Sequence, residues 1–125
     1  MNSLRAGRVA LGQFKAWVVG IHTGLSGTNS HEGLLQVEPV PVCRDRNKDF
    51  KRNGDFVDQH TDGFDQHHGL DQPADNIGRA GAGCLVGRAK AGHQQLIALV
   101  KSDARFAESH GYRFMTTLLE AADVQ

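Results

Sequence analysis

The chain lacks an excess charge of either sign: fourteen Lys and Arg balance fourteen Asp and Glu over 125 residues. No long-range field draws it to nucleic acid or to an anionic membrane, so neither is an expected partner. It also lacks a long apolar run. The stretch 9–21 is interrupted by Gln13 and Lys15, which makes it a poor signal-peptide core and too short and polar to span a bilayer. Cysteine is scarce. Cys43 and Cys84 show neither CxxC nor metal-finger spacing, which argues against a disulfide scaffold and leaves open whether the two pair. The expected address is cytoplasmic, with both thiols reduced. The acid-free opening with Arg5, Arg8 and Lys15 has the charge pattern of an organelle transit peptide, the alternative address.

Aromatic residues are few, and hydrophobic residues reach only 39%, below the ~45–50% of ordinary globular domains. Fifteen glycines raise the backbone entropy that folding must overcome. The composition therefore predicts at most one small domain, partly disordered.

Three regions follow from patterning: a strand-like region 1–43, an irregular polar segment 44–88 and a helical segment 89–125. Phe14–His22 has the β-branched and aromatic content of a strand. Residues 23–33 read as a loop. Alternation at Leu35, Val37, Val40 and Val42 predicts a second strand. Pro39 and Pro41 confine it to a sheet edge or to polyproline geometry. Residues 44–87 hold no sustained apolar run, and a weak repeat (Phe56-Val-Asp-Gln-His60, Gly63-Phe-Asp-Gln-His67, Gly69-Leu-Asp-Gln72) supplies about one apolar position per two turns. Loop or frayed helix is expected there. Leu96, Ile97, Leu99, Val100, Ala104 and Ala107 form one helical stripe, and Phe114, Met115, Leu118, Leu119 and Ala122 a second. Joined by Ser109–Tyr112, they predict a C-terminal αα-hairpin. The expected fold is thus a small α+β chain: one or two N-terminal strands, a Gly/Asp/His-rich irregular middle and a helical hairpin.

The densest chemistry lies in Asp55–Gln72, where five aspartates and three histidines fall together. Divalent metals need several N or O donors converging within ~2–2.5 Å. His60, Asp62, Asp65, His67 and His68 are the candidate ligands, and a divalent metal such as zinc the cofactor they would take. No His-x-His or His-Glu-x-x-His set is present. Asp45-Arg-Asn47-Lys-Asp49 has the opening spacing of a calcium loop, but Phe50 and Phe56 stand where Gly and Glu are required, and Lys48, Lys51 and Arg52 oppose a dication. Gly78–Gly87 is glycine-rich and precedes a helix, but no strand leads into it, so it reads as a linker rather than a phosphate loop. Cys43, Cys84, Ser26 and Ser30 lack a partner base or a nucleophile elbow. His93 and His110 read as surface residues at or near helix ends, and Trp17 as core.

The Asp-Gln-His, Gly-Leu-Asp-Gln and Gly-Arg-Ala-Gly-Ala-Gly phrasing over about residues 50–95 resembles conceptual translations of the strand opposite a gene. There, complemented Leu and Val codons read back as Gln, Lys, Glu, His, Asp, Asn or Tyr. Small antisense-type frames of this kind resemble a group named NAD-specific glutamate dehydrogenase. That resemblance implies a nicotinamide-dependent amino-acid dehydrogenase. No catalytic Lys or Asp of such an enzyme has a counterpart here, and the chain is shorter than the two domains it needs, so no activity transfers. The sequence assigns no biochemical activity and no catalytic constellation. Its alternatives are a metal-binding module over His60–Asp71, or a partner-binding or self-associating hairpin using Phe114, Met115, Leu118 and Leu119.

Overall fold

The computed structural model describes residues 7–23, 30–45, 47, 56–71 and 85–124. The elements are β1 (Gly7–Val9), β2 (Gly12–His22), β3 (His31–Gln36), β4 (Val40–Arg44), β5 (Phe56–Thr61), β6 (Gln66–His68), β7 (Leu85–Gly87), α1 (Lys90–Lys101), α2 (Ala104–Glu108) and β8 (Phe114–Leu118), ending in a 3-10 turn at Ala121–Val124. Among the described residues strands take 47% and helical residues 23%, so the fold is mostly β, which corrects the expected α+β chain with a terminal hairpin. Of the expected features, the opening residues 1–6, Ser26, Cys84 and most of the glycine-rich 78–87 stretch lie outside the described residues.

The strands form two sheets, ordered β1-β4-β5 and β7-β6-β3-β2-β8. β2 organises the larger one. Its Trp17–His22 half pairs antiparallel with β3, down to His22 opposite His31, and its first half pairs with β8. Val9, Ala16, Trp17, Leu34, Val40, Val42, Phe64 and Ile97 form one buried cluster, so both sheets and α1 share a core.

β8 replaces the second helix of the expected hairpin. The spacing of Phe114, Met115, Leu118 and Leu119 fits a helix, but Thr116 and Thr117 between them are β-branched and favour a strand. A nine-residue helix without tertiary support is marginal in water. Pairing with Gly12–Trp17 gives one side of this backbone strand partners instead. Phe114 and Leu118 then turn toward the core while Met115 stays exposed. Leu119, beyond the strand, is exposed as well, and the four residues no longer make one docking stripe. The first helical segment is broken too. Asp103 leaves helical geometry and accepts the Arg105 N–H at 2.8 Å, so α2 starts afresh.

The middle of the chain is also more ordered than its composition predicts, since β5, β6 and β7 are strands paired to β4, β3 and β6. Pro41 lies in β4, between β1 and β5, rather than on an edge. The β4–β5 register shifts between Val40 and Val42, and that irregularity accommodates the missing N–H, while the Pro41 carbonyl accepts from Ala10 N. The short apolar supply is offset by buried polar bonding. Gln36 donates to the Thr61 and Glu38 carbonyls and accepts the Phe64 N–H, and Trp17 Nε1 donates to the Phe64 carbonyl at 2.9 Å. Residues 61–65 are thereby laid across β2 and β3, which delivers β6 to its place. Gln66 Nε2 reaches Thr116 Oγ1 at 2.7 Å, although two strands separate β6 from β8. In a flat sheet that gap is roughly 14 Å, so the sheet is strongly curled. Gly33 permits the close β3–β6 approach: a Cβ there would lie 2.6 Å from the Gln66 carbonyl oxygen.

Among the described residues no helix is long and apolar enough to cross a membrane.

Candidate functional site

Five of the seven histidines meet at one end of the curled sheet. His22 closes β2, His31 opens β3 directly opposite it, His67 and His68 belong to β6, and His93 lies in the first turn of α1. His22 and His67 stack in parallel, with ring centres 4.1 Å apart. His31 and His68 stack at 3.5 Å. His93 stands nearly perpendicular to both of the latter, 5.4 and 5.6 Å away. His31 is the hub, 5.5 Å from His22 and 6.0 Å from His67.

Each ring is held by a specific partner. His22 Nδ1 bonds Asp65 Oδ2 at 2.9 Å, and Asp65 Oδ1 accepts the Gln36 N–H. His67 Nδ1 donates to the His68 carbonyl at 2.8 Å. His93 Nε2 donates to the Glu32 carbonyl at 2.7 Å. His68 Nδ1 accepts the Leu70 N–H, and His31 Nε2 accepts the His68 N–H. These partners assign the protons. The proton sits on Nδ1 of His22 and His67, which leaves their Nε2 lone pairs. It sits on Nε2 of His68 and His93.

The backbone around His68 is strained to make this arrangement. Leu70 and Asp71 have φ of 58° and 59°, a left-handed conformation that a branched apolar side chain such as Leu rarely adopts. Asp71 turns back to accept the Lys90 N–H at 2.8 Å, capping a helix whose own N-cap residue, Ala89, provides no side-chain bond. α1 is thus started by the loop that follows β6, which brings His93 to His68.

Burial holds the His68 imidazole down to about 4, with the neighbouring His31, His93, Lys90 and His67 adding to the effect. His67 is lowered as well, again chiefly by burial, while Asp65 pulls the other way. The cluster is therefore electrically graded. The Asp65 carboxylate lies at the His22–His67 end, and Lys90 and the Lys101–Glu32 pair lie at the His68–His93 end.

Of the five ligands expected from sequence, His67 and His68 are buried in this cluster and Asp65 is its carboxylate partner. His60 and Asp62 are not part of it. His60 is exposed on β5, in the other sheet, and Asp62 is exposed in the following loop. The sequence reading missed His22, His31 and His93. His93 is buried rather than a surface residue, and its position four residues before Ile97 places it on the buried stripe of α1. His22 and His31 had no local signal, since only strand pairing brings them to His67. His110 is exposed and stacks on Phe106. Cys43 is a buried free thiol outside the cluster. Among the described residues, no three His, Cys, Asp or Glu side chains already surround one metal-sized point.

A groove of about 470 Å³ opens beside the cluster, between α1 and the start of β3, with His31, His68 and His93 on its wall. No protein family matches the chain, and no curated protein or solved structure resembles it closely enough for comparison.

Proposed function

We propose that the protein binds a divalent transition metal of the zinc, copper or nickel type at the Asp65 end of the histidine cluster. The observation that supports this is the pair His22 and His67. Each has its Nδ1 proton engaged, by a carboxylate and by a backbone carbonyl respectively, and each keeps an Nε2 lone pair. That is the outer bonding which orients imidazole ligands in metal sites. Neutral imidazole suits these metals. Two rings on one tetrahedral ion have centres about 5 Å apart. The 4.1 Å stack and the 5.5 and 6.0 Å spacings to His31 bracket that value. Side-chain rotation would bring His22, His67 and His31 onto one ion, with His31 Nε2 giving up the His68 N–H it accepts and Asp65 behind His22. Metal would relieve the crowding of parallel imidazoles and turn a polar-rich core into a cross-link between β2, β3 and β6.

The set of five expected ligands narrows accordingly: His67 remains, Asp65 becomes an orienting group, His68 keeps its Nδ1 lone pair on the Leu70 N–H, and His60 and Asp62 drop out. A cytoplasmic location is part of this reading, supported by the free thiol of Cys43. Calorimetric zinc titration tests it. One equivalent should bind to the intact chain, with at least a tenfold loss of affinity on His22→Ala plus His67→Ala and none on His60→Ala plus Asp62→Ala. The opposite ranking of the two double variants sinks the site.

A further inference from the structure

The groove on the lysine side of the cluster has a different chemistry from the metal end. Along α1, Lys90, Gln94, Ile97, Ala98 and Lys101 share one face, since they are spaced by four, three, one and three residues. The last four line the groove. Its centre is apolar, with Ile97 buried at the floor. Lys101 stands at one end, bonded to both Glu32 carboxylate oxygens at 3.2 and 3.0 Å. Lys90 stands about 16 Å away along the helix axis and acts as a positive charge on His68. Glu32 is the acidic residue on the wall, and Lys101 neutralises it. The facing wall carries His68, whose Nδ1 accepts the Leu70 N–H and whose proton is therefore on Nε2, as a donor. Apolar floor, ring faces, N–H donors and the Lys90 charge together favour an anion with a flat apolar body.

We infer that this groove is a binding site for a small organic carboxylate with a flat apolar body, which lies over Ile97 and Ala98 between α1 and the His31–His68 stack. The carboxylate accepts from His68 Nε2–H and faces the lysine field, and the apolar body displaces water from the helix face. Gln94 supplies a further amide donor. The site uses neither of the Nε2 lone pairs of His22 and His67 that carry the metal reading, and shares with that reading only the His31 ring. The groove volume lies within the roughly 300–1,000 Å³ range of small-molecule sites.

The test compares three ligands of one shape, 2-naphthoate, 2-naphthamide and 2-naphthylmethylammonium, titrated into isotope-labelled metal-free protein and followed by amide chemical shifts. The carboxylate should bind at least fivefold more tightly than the amide, and the ammonium most weakly, with shifts centred on Gln94, Ile97 and Ala98. Combining Lys90→Met, Lys101→Met and Glu32→Gln should narrow the carboxylate-to-amide ratio to under twofold, and Ala98→Trp, which fills the groove from an exposed helix position, should abolish binding of all three. Equal binding of the three ligands, shifts confined to other surfaces, or a ratio unchanged in the lysine variant overturns the inference. Zinc titration of the same lysine variant reads the metal site separately: unchanged zinc affinity with lost carboxylate preference shows two sites, and lost zinc affinity in that variant would contradict the separation argued above.

Discussion

Mild acid should destabilise the metal-free protein through His68. An unfolded histidine has a value of 6.5, and the folded environment lowers it to about 4. Between these values the unfolded chain binds more protons than the folded one. Stability is therefore complete above about pH 6.5 and falls as the pH drops toward 4, below which this group takes nothing more away. A shift of that size corresponds to roughly 3 kcal/mol at 1.36 kcal/mol per unit. The groove admits water to one side of His68, which screens part of the effect, so a loss of about 1–2 kcal/mol is expected between pH 7 and 4.5. His67, lowered for the same reason, adds to the loss in the same direction. Asp58 and Asp103 also have depressed values, but their contributions are lost only as the pH falls below the ordinary carboxylate value of 3.8, outside this window. Urea unfolding at pH 7.0, 6.0, 5.0 and 4.5, in the presence of a chelator, measures the effect. With a slope of about 1–2 kcal/mol per molar, the midpoint should fall by up to about 1 M, and His68→Gln should flatten the dependence. A midpoint that is constant or rises on acidification refutes the buried, lowered state assigned to His68.

Two further outcomes probe how the site is built. Gly33→Ala puts a methyl 2.6 Å from the Gln66 carbonyl, a backbone atom that cannot rotate away. A loss of about 1–3 kcal/mol in chemical denaturation is expected, with amide shifts spreading through His67 and His68 as β6 is displaced. Trp17→Phe keeps most of the buried ring but leaves the Phe64 carbonyl without its 2.9 Å indole donor. It should cost about 1–3 kcal/mol and loosen 61–65 in hydrogen exchange, whereas unchanged exchange there would show that Gln36 alone holds the crossing.

The parts of this fold that local pattern predicts are those whose stability is largely local. The β-branched and aromatic run Phe14–His22 lies inside β2, and the stripe through Ile97 and Val100 lies in α1. Where two periods compete, the pattern fails. Phe114–Leu119 satisfies a helical spacing and a strand alternation equally, and the outcome depends on an open β2 edge a hundred residues earlier. The polar middle fails for a related reason. Its strands are held by Gln36, Trp17 and Asp65, each bonding across more than twenty residues, rather than by apolar side chains of its own.

The candidate site divides along the same line. Charge balance, the paucity of cysteine and the concentration of imidazole and carboxylate near position 65 are properties of composition, and they point to coordination or hydrogen-bonding chemistry in that stretch whatever the fold. Which of those groups meet is a matter of register. Pairing His22 with His31, seating β6 against Gly33 and starting α1 from Asp71 bring five imidazoles together from separations of up to 71 residues, and leave His60 and Asp62 facing water. Local sequence carries no signal for such contacts, because the energy that makes them is shared among strand pairing, the half-buried Gln36 network and the strained turn at Leu70 and Asp71.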